Sequence, residues 1–321
     1  MKAALTPSYG PAEVLKTADV PAPTIGERDV LVEVHASPVT AGDRRLRAAD
    51  FPSITAAPGR LMVGLLRPKH PVQGTMFAGR VLRVGSAVTE YAVGDDVFGS
   101  TDHGAYAEYL AMPESGAMAK MPACLDYAEA AAVPYGAVTA LRFLRDLGAV
   151  GPGSKVLIVG ASGGVGRFAV QIAKHLGAEV TGVCSRGSFE LVRQLGADHL
   201  IDYESQDFTQ TGERYDVIFD IAGVTSFRSS RQSLTQDGRY LTLFFSVGVL
   251  LQMAVTALVG GPRAKFSVAL GDRSDMEQLR DLIERGVIRP IVAQRFPLDR
   301  IAEAHAEAER GRNAGSVVVT V

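Results

Sequence analysis

The sequence predicts an α/β protein: a doubly wound parallel sheet joined to a smaller β-barrel-type domain. Three observations predict it. Strand-like and helix-like segments alternate from residue 155 to residue 245, which implies right-handed crossovers and a parallel sheet. The first third of the chain instead carries short alternating runs punctuated by Gly, Pro and Asp, the pattern of a small β domain. At 321 residues, the chain has room for two such domains.

Taken in order, the β-type runs are DVLVEVHAS (29–37), GRVLRVG (79–85) and GAYAEYLAM (104–112). The rhythm changes near residue 122. The stretch LDYAEAAAVPYGAVTALRFLRDLGA (125–149) is helical in composition, with Pro134 interrupting it. Then come KVLIVG, a helix, EVTGVCS, a helix, HLIDY, a gap, YDVIFDIAG, a helix and RYLTLFF. Three helices end in Leu-Gly-Ala, at 147–149, 176–178 and 195–197. Glycine after a last turn accepts the left-handed conformation that stops a helix. Beyond Pro262 follow a strand-like KFSVAL, helices over 275–286 and 298–310, and a terminal strand SVVVTV, again in the character of the opening region. The expected division is 1–122, 123–262 and 263–321, the last segment completing the sheet and returning to the first domain.

Composition narrows the function classes. With 47% apolar and 21% charged residues the chain builds a full core, and its net charge of −2 offers no basic footprint for nucleic acid or an anionic membrane. Neither nucleic acid nor membrane is therefore an expected partner. Cys124 and Cys184 show no pairing pattern and suit a reducing, cytoplasmic setting. The opening MKAALTPSYG lacks the long apolar core of a signal peptide, because Pro7 and Gly10 interrupt it. Residues 240–262 carry no charge and are long enough to cross a bilayer. Ser246 and Gly248 break that run, and Gln252 and Thr256 place polar groups at i and i+4. A buried strand followed by a short helix fits the pattern better, and the helix is a candidate cover for an apolar pocket.

The stretch GASGGVG (160–166) holds four glycines in seven residues between KVLIV and a helix. In that helix Val165, Phe168, Ala169, Ile172, Ala173 and Leu176 share one face. Read back from Gly166, the loop is Ala161-x-Gly163-x-x-Gly166, a dinucleotide fingerprint with alanine at its first position. The second glycine lets backbone approach a pyrophosphate, the third packs helix on strand, and the helix N-terminus aims free amides at the anion. Glycine also collects in turns for conformational reasons alone. The strand–loop–helix–strand context favours the phosphate reading. No Gly-Lys-Ser/Thr follows, so this is not a triphosphate loop.

About twenty residues further on, a cofactor with a bare 2′-hydroxyl calls for an acid. Here the chain reads Val-Cys-Ser-Arg-Gly-Ser at 183–188, with Arg186 and no acid. A guanidinium fork suits a 2′-phosphate, which points to NADP(H). The plain alternative is a solvated surface arginine.

The motifs VTAGDRRLR (39–47), VLRVGSAVTEYAVGDDVFG (81–99), AAAVPYGAVTALRFL (130–144), GASGGVG and LGADHLIDY (195–203) together resemble the medium-chain dehydrogenase/reductase superfamily, in its zinc-free quinone oxidoreductase (zeta-crystallin-like) and enoyl reductase branch. The resemblance covers nearly the whole chain. It implies a GroES-like catalytic domain in two segments, a Rossmann-like domain between them, and a homodimer. Zinc-dependent members need a Cys near the start and a Gly-His-Glu motif. The first would fall near 41–43, where AGD has no cysteine; in GTMFAG, Thr75 stands for the His and Met76 for the acid. No metal is expected. Met76 departs even from many zinc-free relatives, and marks either a lost vestigial group replaced by an adaptable packing side chain or a reshaped substrate pocket.

The resemblance also implies site residues. Thr40 occupies a position near the nicotinamide and Thr139 lies by its ribose. Ser162, Gly163, Gly164 and Val165 hold the pyrophosphate, Ser185 and Arg186 the 2′-phosphate, and Tyr203 stands beside the adenosine. Ala222, Gly223, Phe244, Phe245 and Asn313 close over the nicotinamide. Substrate-pocket candidates are Thr40, Met76, Phe77 and Tyr106. Asp43 reads as structural, paired with Arg44 or Arg47, and no proton donor is assigned. The implied function is NADPH-dependent hydride transfer to a quinone or α,β-unsaturated carbonyl. These need less help than a plain carbonyl when no metal is present. A zinc-independent alcohol or aldehyde reductase and a non-redox or cofactor-binding member of the fold remain as alternatives. Residues 61–66 and 247–259 suggest either a lining for a bulky hydrophobic acceptor or contacts between subunits.

Overall fold

In a computed structural model of the chain, residues 1–51, 56–311 and 314–321 are described. They form two compact units, Met1–Tyr135 with Gly271–Val321, and Gly136–Leu270.

The first unit opens with β1 (Lys2–Leu5) and β2 (Lys16–Asp19), paired antiparallel. Strands β3 (Asp29–Val39), β4 (Met76–Val84), β5 (Asp96–Ser100), β6 (Tyr109–Pro113) and β7 (Met118–Lys120) follow, with helices α1 (Ala41–Ala48), α2 (Ala56–Val63) and α3 (Tyr127–Ala131). β3 is the longest strand and pairs antiparallel with both β4 and β6. Its valines at 30, 32 and 34 pack with Phe77, Val81, Leu110 and Met118. Each fully buried aliphatic side chain of this kind contributes about 1.5–3 kcal/mol.

α4 (Pro134–Arg142) begins at Pro134, where a missing N–H is harmless, so the proline opens a helix as well as interrupting one. The second unit is a six-stranded sheet of β8 (Lys155–Val159), β9 (Glu179–Cys184), β10 (His199–Asp202), β11 (Tyr215–Asp220), β12 (Leu234–Thr242) and β13 (Arg263–Phe266). Its order is β10-β9-β8-β11-β12-β13, with every neighbouring pair parallel. The strand order reverses between β8 and β11, and in open parallel sheets ligands bind beyond the strand ends at such a switch. Its helices are α5 (Gly166–His175), α6 (Phe189–Gln194), α7 (Phe227–Ser230) and α8 (Val247–Leu258). α5 buries the apolar face its sequence marks out at Phe168, Ala169, Ile172 and Ala173, and buries Arg167, Val170 and Gln171 on its other sides as well.

Two of the three Leu-Gly-Ala stops work through glycine, with Gly177 at φ +85° and Gly196 at φ +109°. The first does not. Residues Phe143–Leu147 form a wider π-helical turn, which carries Gly148 on in a helical conformation and leaves Ala149 as the left-handed residue at φ +46°.

The uncharged stretch at 240–262 resolves into the end of β12 followed by α8, and no helix among the described residues is long and apolar enough to cross a membrane. Met253 of α8 packs on the core, whereas Leu250, Leu251, Val255 and Leu258 stand in solvent.

The chain then returns to the first unit through α9 (Arg273–Glu284), β14 (Val292–Pro297), α10 (Ile301–Glu309) and β15 (Ser316–Thr320). β15 lies antiparallel on β3, with Val317 opposite Val39. Beneath α10, Arg47 is almost fully buried. Its guanidinium donates to the Gly10 carbonyl at 3.1 Å, to His305 Nδ1 at 2.9 Å and to Glu309 Oε1 at 2.5 Å. This clamp ties α1 to α10 through a buried guanidinium whose carboxylate partner stays partly exposed.

Candidate active site

In the second unit the predicted cofactor residues Ser162–Val165, Ser185, Arg186, Ala222, Gly223, Phe244 and Phe245 follow the carboxyl ends of β8, β9, β11 and β12, whereas Thr139 sits on α4 and Tyr203 past β10. The glycine loop leaves β8 at Gly160, whose φ of +87° makes the sharp turn. Its amide and that of Ala161 both donate to the Val183 carbonyl, which holds the loop against the end of β9. Gly166 packs so closely that a Cβ there would lie 2.1 Å from the Gly160 carbonyl oxygen. At Gly164 an added Cβ meets nothing within 4 Å, so the space beside it is open. Among the described residues the amides of Gly164 and Val165 have no hydrogen-bond acceptor. These free donors at the start of α5, with the partial positive charge of the helix, fit a pyrophosphate. Gly136 of α4 abuts the loop, 2.6 Å from the Gly164 carbonyl at its Cβ position, and Thr139 follows one turn along, almost buried.

Ser185 follows β9 directly and opens a single 3-10 turn, Arg186–Ser188, with its hydroxyl 3.4 Å from that of Ser188. Arg186 is exposed and makes no ion pair among the described residues. Tyr203 lies exposed just past β10. Cys184 is buried, and burial pushes its thiol up to about 11.

On the other side of the switch, Gly223 at φ +70° passes under the Phe244 ring, 2.5 Å from where a Cβ would sit. Ala222 lies against Gly160, so the loops after β8 and β11 touch. The second loop is pinned by the fully buried Asp220. Its carboxylate accepts from the amides of Gly223 (2.8 Å) and Thr225 (2.9 Å) and from the hydroxyls of Thr225 (2.8 Å) and Tyr240 (3.0 Å). Phe245 is tilted against Phe266 of β13. Asn313 lies outside the described residues.

Sequence reasoning missed Asp220 and Arg167. Arg167, in the first turn of α5, is buried, and its one described side-chain contact is to the Ser162 carbonyl at 3.4 Å. Burial lowers it to about 10, so it stays charged at neutral pH beneath the loop. The arginine directly after the last fingerprint glycine was the available signal.

In the first unit the metal-motif positions are joined by hydrogen bonds. Thr40 caps α1, accepting from the Asp43 amide at 3.1 Å and donating through Oγ1 to Asp43 Oδ2 at 2.6 Å. Thr75 Oγ1 donates to Asp43 Oδ1 at 2.8 Å. Asp43 is fully buried, and burial raises its carboxyl above the ordinary range against the pull of both threonines. Its partners are thus threonines, not the expected arginines. Arg44 pairs with Asp50 at 3.6 Å and Arg47 faces α10, because the capping geometry turns Asp43 back onto the helix start. Met76 follows at the head of β4, half-buried, its carbonyl accepting from the Ser37 hydroxyl at 2.7 Å. Strand alternation sends the next side chain, Phe77, into the core with no exposed surface. Tyr106 is likewise enclosed, its hydroxyl donating to the Pro38 carbonyl at 3.1 Å. Of the four pocket candidates, Thr40 and Met76 retain accessible surface, and Phe77 and Tyr106 belong to the core.

Residues 26–123 match the family described as alcohol dehydrogenase GroES-like domain, and residues 195–319 the family described as zinc-binding dehydrogenase. The chain is 31% identical to a chloroplastic NADPH-dependent alkenal/one oxidoreductase of Arabidopsis thaliana, over 99% of this chain and 79% of that one. It is 30% identical to 2-methylene-furan-3-one reductase of Solanum lycopersicum, with the same coverage. The solved quinone oxidoreductase from Coxiella burnetii superposes with a TM-score of 0.87 at 27% identity, covering 100% of this chain and 99% of that one. The chain belongs to the medium-chain dehydrogenase/reductase superfamily, in its quinone oxidoreductase and enoyl reductase branch, a family of oxidoreductases. Although one matching family is named for zinc, no group of three or more His, Cys, Asp or Glu among the described residues is placed to hold a metal ion.

Proposed function

We propose that the protein is an NADPH-dependent oxidoreductase that reduces a quinone or an α,β-unsaturated carbonyl without zinc. The observation that carries this reading is the Thr40–Asp43–Thr75 knot. Two hydroxyls donating to one buried carboxyl fill the place where a zinc-dependent relative needs thiolate and imidazole.

The second unit fits the cofactor. Gly164 leaves room for a phosphate, the amides of Gly164 and Val165 are free to donate to it, and Arg167 adds buried charge. Arg186, exposed and without an ion-pair partner among the described residues, takes the 2′-phosphate, with Ser185 beside it. The bound cofactor supplies hydride; the chain's task is to orient it and exclude water. Asp220 keeps the loop of Ala222 and Gly223 rigid, and Phe244 packs over that loop as an apolar wall. Thr40 and Met76 belong to the substrate side. A conjugated acceptor spreads the incoming charge to its oxygen by itself, whereas a plain carbonyl needs a Lewis acid or a strong donor.

The protein acts as a homodimer in this reading. β13 is the outer strand of its sheet, its Ala264 amide donates to Thr256 Oγ1 of α8 at 3.2 Å, and the exposed apolar face of α8 beside it is the contact surface in this reading.

The test is NADPH oxidation with matched quinones, enones and saturated carbonyls, run beside NADH and chelator controls. Turnover of conjugated acceptors only, faster with NADPH and indifferent to chelator, is expected. Equal turnover of saturated aldehydes would favour the alcohol-reductase reading, and saturable cofactor binding with no acceptor reduced would favour a non-redox member.

A further inference from the structure

Residues 60–69 read RLMVGLLRPK. α2 ends within this stretch and the chain turns at Gly64, whose φ is +123° and whose Cβ direction points at the Arg67 carbonyl oxygen, 2.0 Å away. The turn is fastened from below. The Tyr9 hydroxyl donates to the Gly64 carbonyl at 2.7 Å, the Lys69 amide donates to the Val63 carbonyl at 2.8 Å, and Pro68 is buried. Fastened in this way it holds Leu61, Met62, Leu65 and Leu66 outward, 70, 77, 64 and 87% exposed.

Four large apolar side chains together in water are not the scatter of an ordinary surface. The same ten residues carry three exposed cations, Arg60, whose guanidinium lies over the Tyr9 ring at 5.4 Å, Arg67 and Lys69, and from residue 51 to residue 89 the chain contains no Asp or Glu. The overall charge of −2 conceals this local cationic run. Exposed aliphatic side chains flanked along the chain by guanidinium and ammonium groups match a bilayer surface, where apolar side chains enter the acyl boundary and cations meet phosphates. A second copy matches badly. Two-fold pairing of the turn with itself would bring two cationic runs together, with no acid from the segment to offset them.

We propose that the turn at residues 60–69 docks the protein peripherally on an anionic lipid surface. This revises the expectation that no membrane takes part, and it does not depend on which acceptor is reduced.

Flotation of the full chain with phosphatidylcholine vesicles, with and without phosphatidylglycerol, tests it. Wild type should float with the anionic vesicles, bind neutral ones far more weakly, and be released by salt. Each of Arg60→Ser, Arg67→Ser and Lys69→Ser should weaken anionic binding roughly fivefold. The pair Leu65→Ser and Leu66→Ser should weaken it at least about tenfold, with thermal melting and NADPH binding unchanged. A wild type that stays with the lipid-free fraction overturns the proposal, as does floating that none of these substitutions alters. So does a fall in oligomeric mass in the Leu65→Ser/Leu66→Ser variant without loss of vesicle binding, which would make the turn a contact between copies.

Discussion

Gly166 and Gly160 meet backbone to backbone. The Cβ that any other residue would place on Gly166 falls 2.1 Å from the Gly160 carbonyl oxygen and 2.8 Å from the Ala161 backbone. Backbone cannot swing aside as a side-chain tip can. Gly166→Ala is therefore expected to destabilise the second unit by about 1–3 kcal/mol through overpacking, read as a lower denaturant midpoint with or without cofactor. Gly164→Ala, into open space, should melt like wild type while NADPH binding weakens roughly tenfold, about 1.4 kcal/mol. Calorimetric titration of both variants separates the two roles. Equal cofactor loss without any change in stability at Gly166 would contradict the packing account.

In the proposed reading, Arg186 decides between cofactors. Replacing it by Ala removes a charge-assisted contact worth about 1.5–3 kcal/mol. KM for NADPH should accordingly rise roughly ten- to hundredfold, with KM for NADH little changed. If both constants move together, the guanidinium is not reading a 2′-phosphate.

His305 is held neutral. Burial, with the Arg47 guanidinium as a second cause, pushes it down to about 3 from 6.5. The unfolded chain therefore binds a proton that the folded one refuses in that window. His305 costs nothing above pH 6.5 and removes stability as the pH falls below it, at up to about 1.4 kcal/mol per pH unit. His305→Gln, which can still accept from Arg47, should flatten urea midpoints between pH 4 and 6 relative to wild type. An unaltered pH slope would remove His305 from the account of acid lability.

Asp43 pulls the opposite way. Its carboxyl is raised, so the folded state keeps the proton more tightly. That contribution is complete below the ordinary carboxylate range and is lost as pH rises through the folded value. Asp43→Asn keeps one acceptor oxygen and sacrifices the hydrogen bond from either Thr40 or Thr75, roughly 1–3 kcal/mol, and its deficit against wild type should shrink as the pH rises from the ordinary carboxylate range. A deficit that grows with pH would mean the carboxylate is stabilised as an anion.

The fold class was legible because two periods dominate the chain. Alternation marks β3 and β4, and the strand–helix rhythm from Lys155 onward marks the parallel sheet. The turn between β8 and α5 was legible because Gly160 and Gly166 answer local needs, a positive φ and a close backbone approach. What escaped was tertiary. Nothing local announces that a π-helical turn shifts the first Leu-Gly-Ala stop to Ala149. Nor does it announce that Asp220 gathers four donors from 223–240, or that Asp43 chooses Thr75, 32 positions away, over the adjacent arginines. Phe77 shows the same limit at closer range. Its neighbour Met76 keeps accessible surface while Phe77 has none, and only the strand's orientation in the sheet decides which is which.

The most direct test of the central claim follows deuterium from NADPH labelled at the transferable position into product with an enone acceptor, the protein having first been stripped with chelator. The account predicts one deuterium on the carbon β to the carbonyl, none on the carbinol carbon, and a rate that added zinc does not change. Deuterium on the carbinol carbon, or transfer that returns only with zinc, would contradict it.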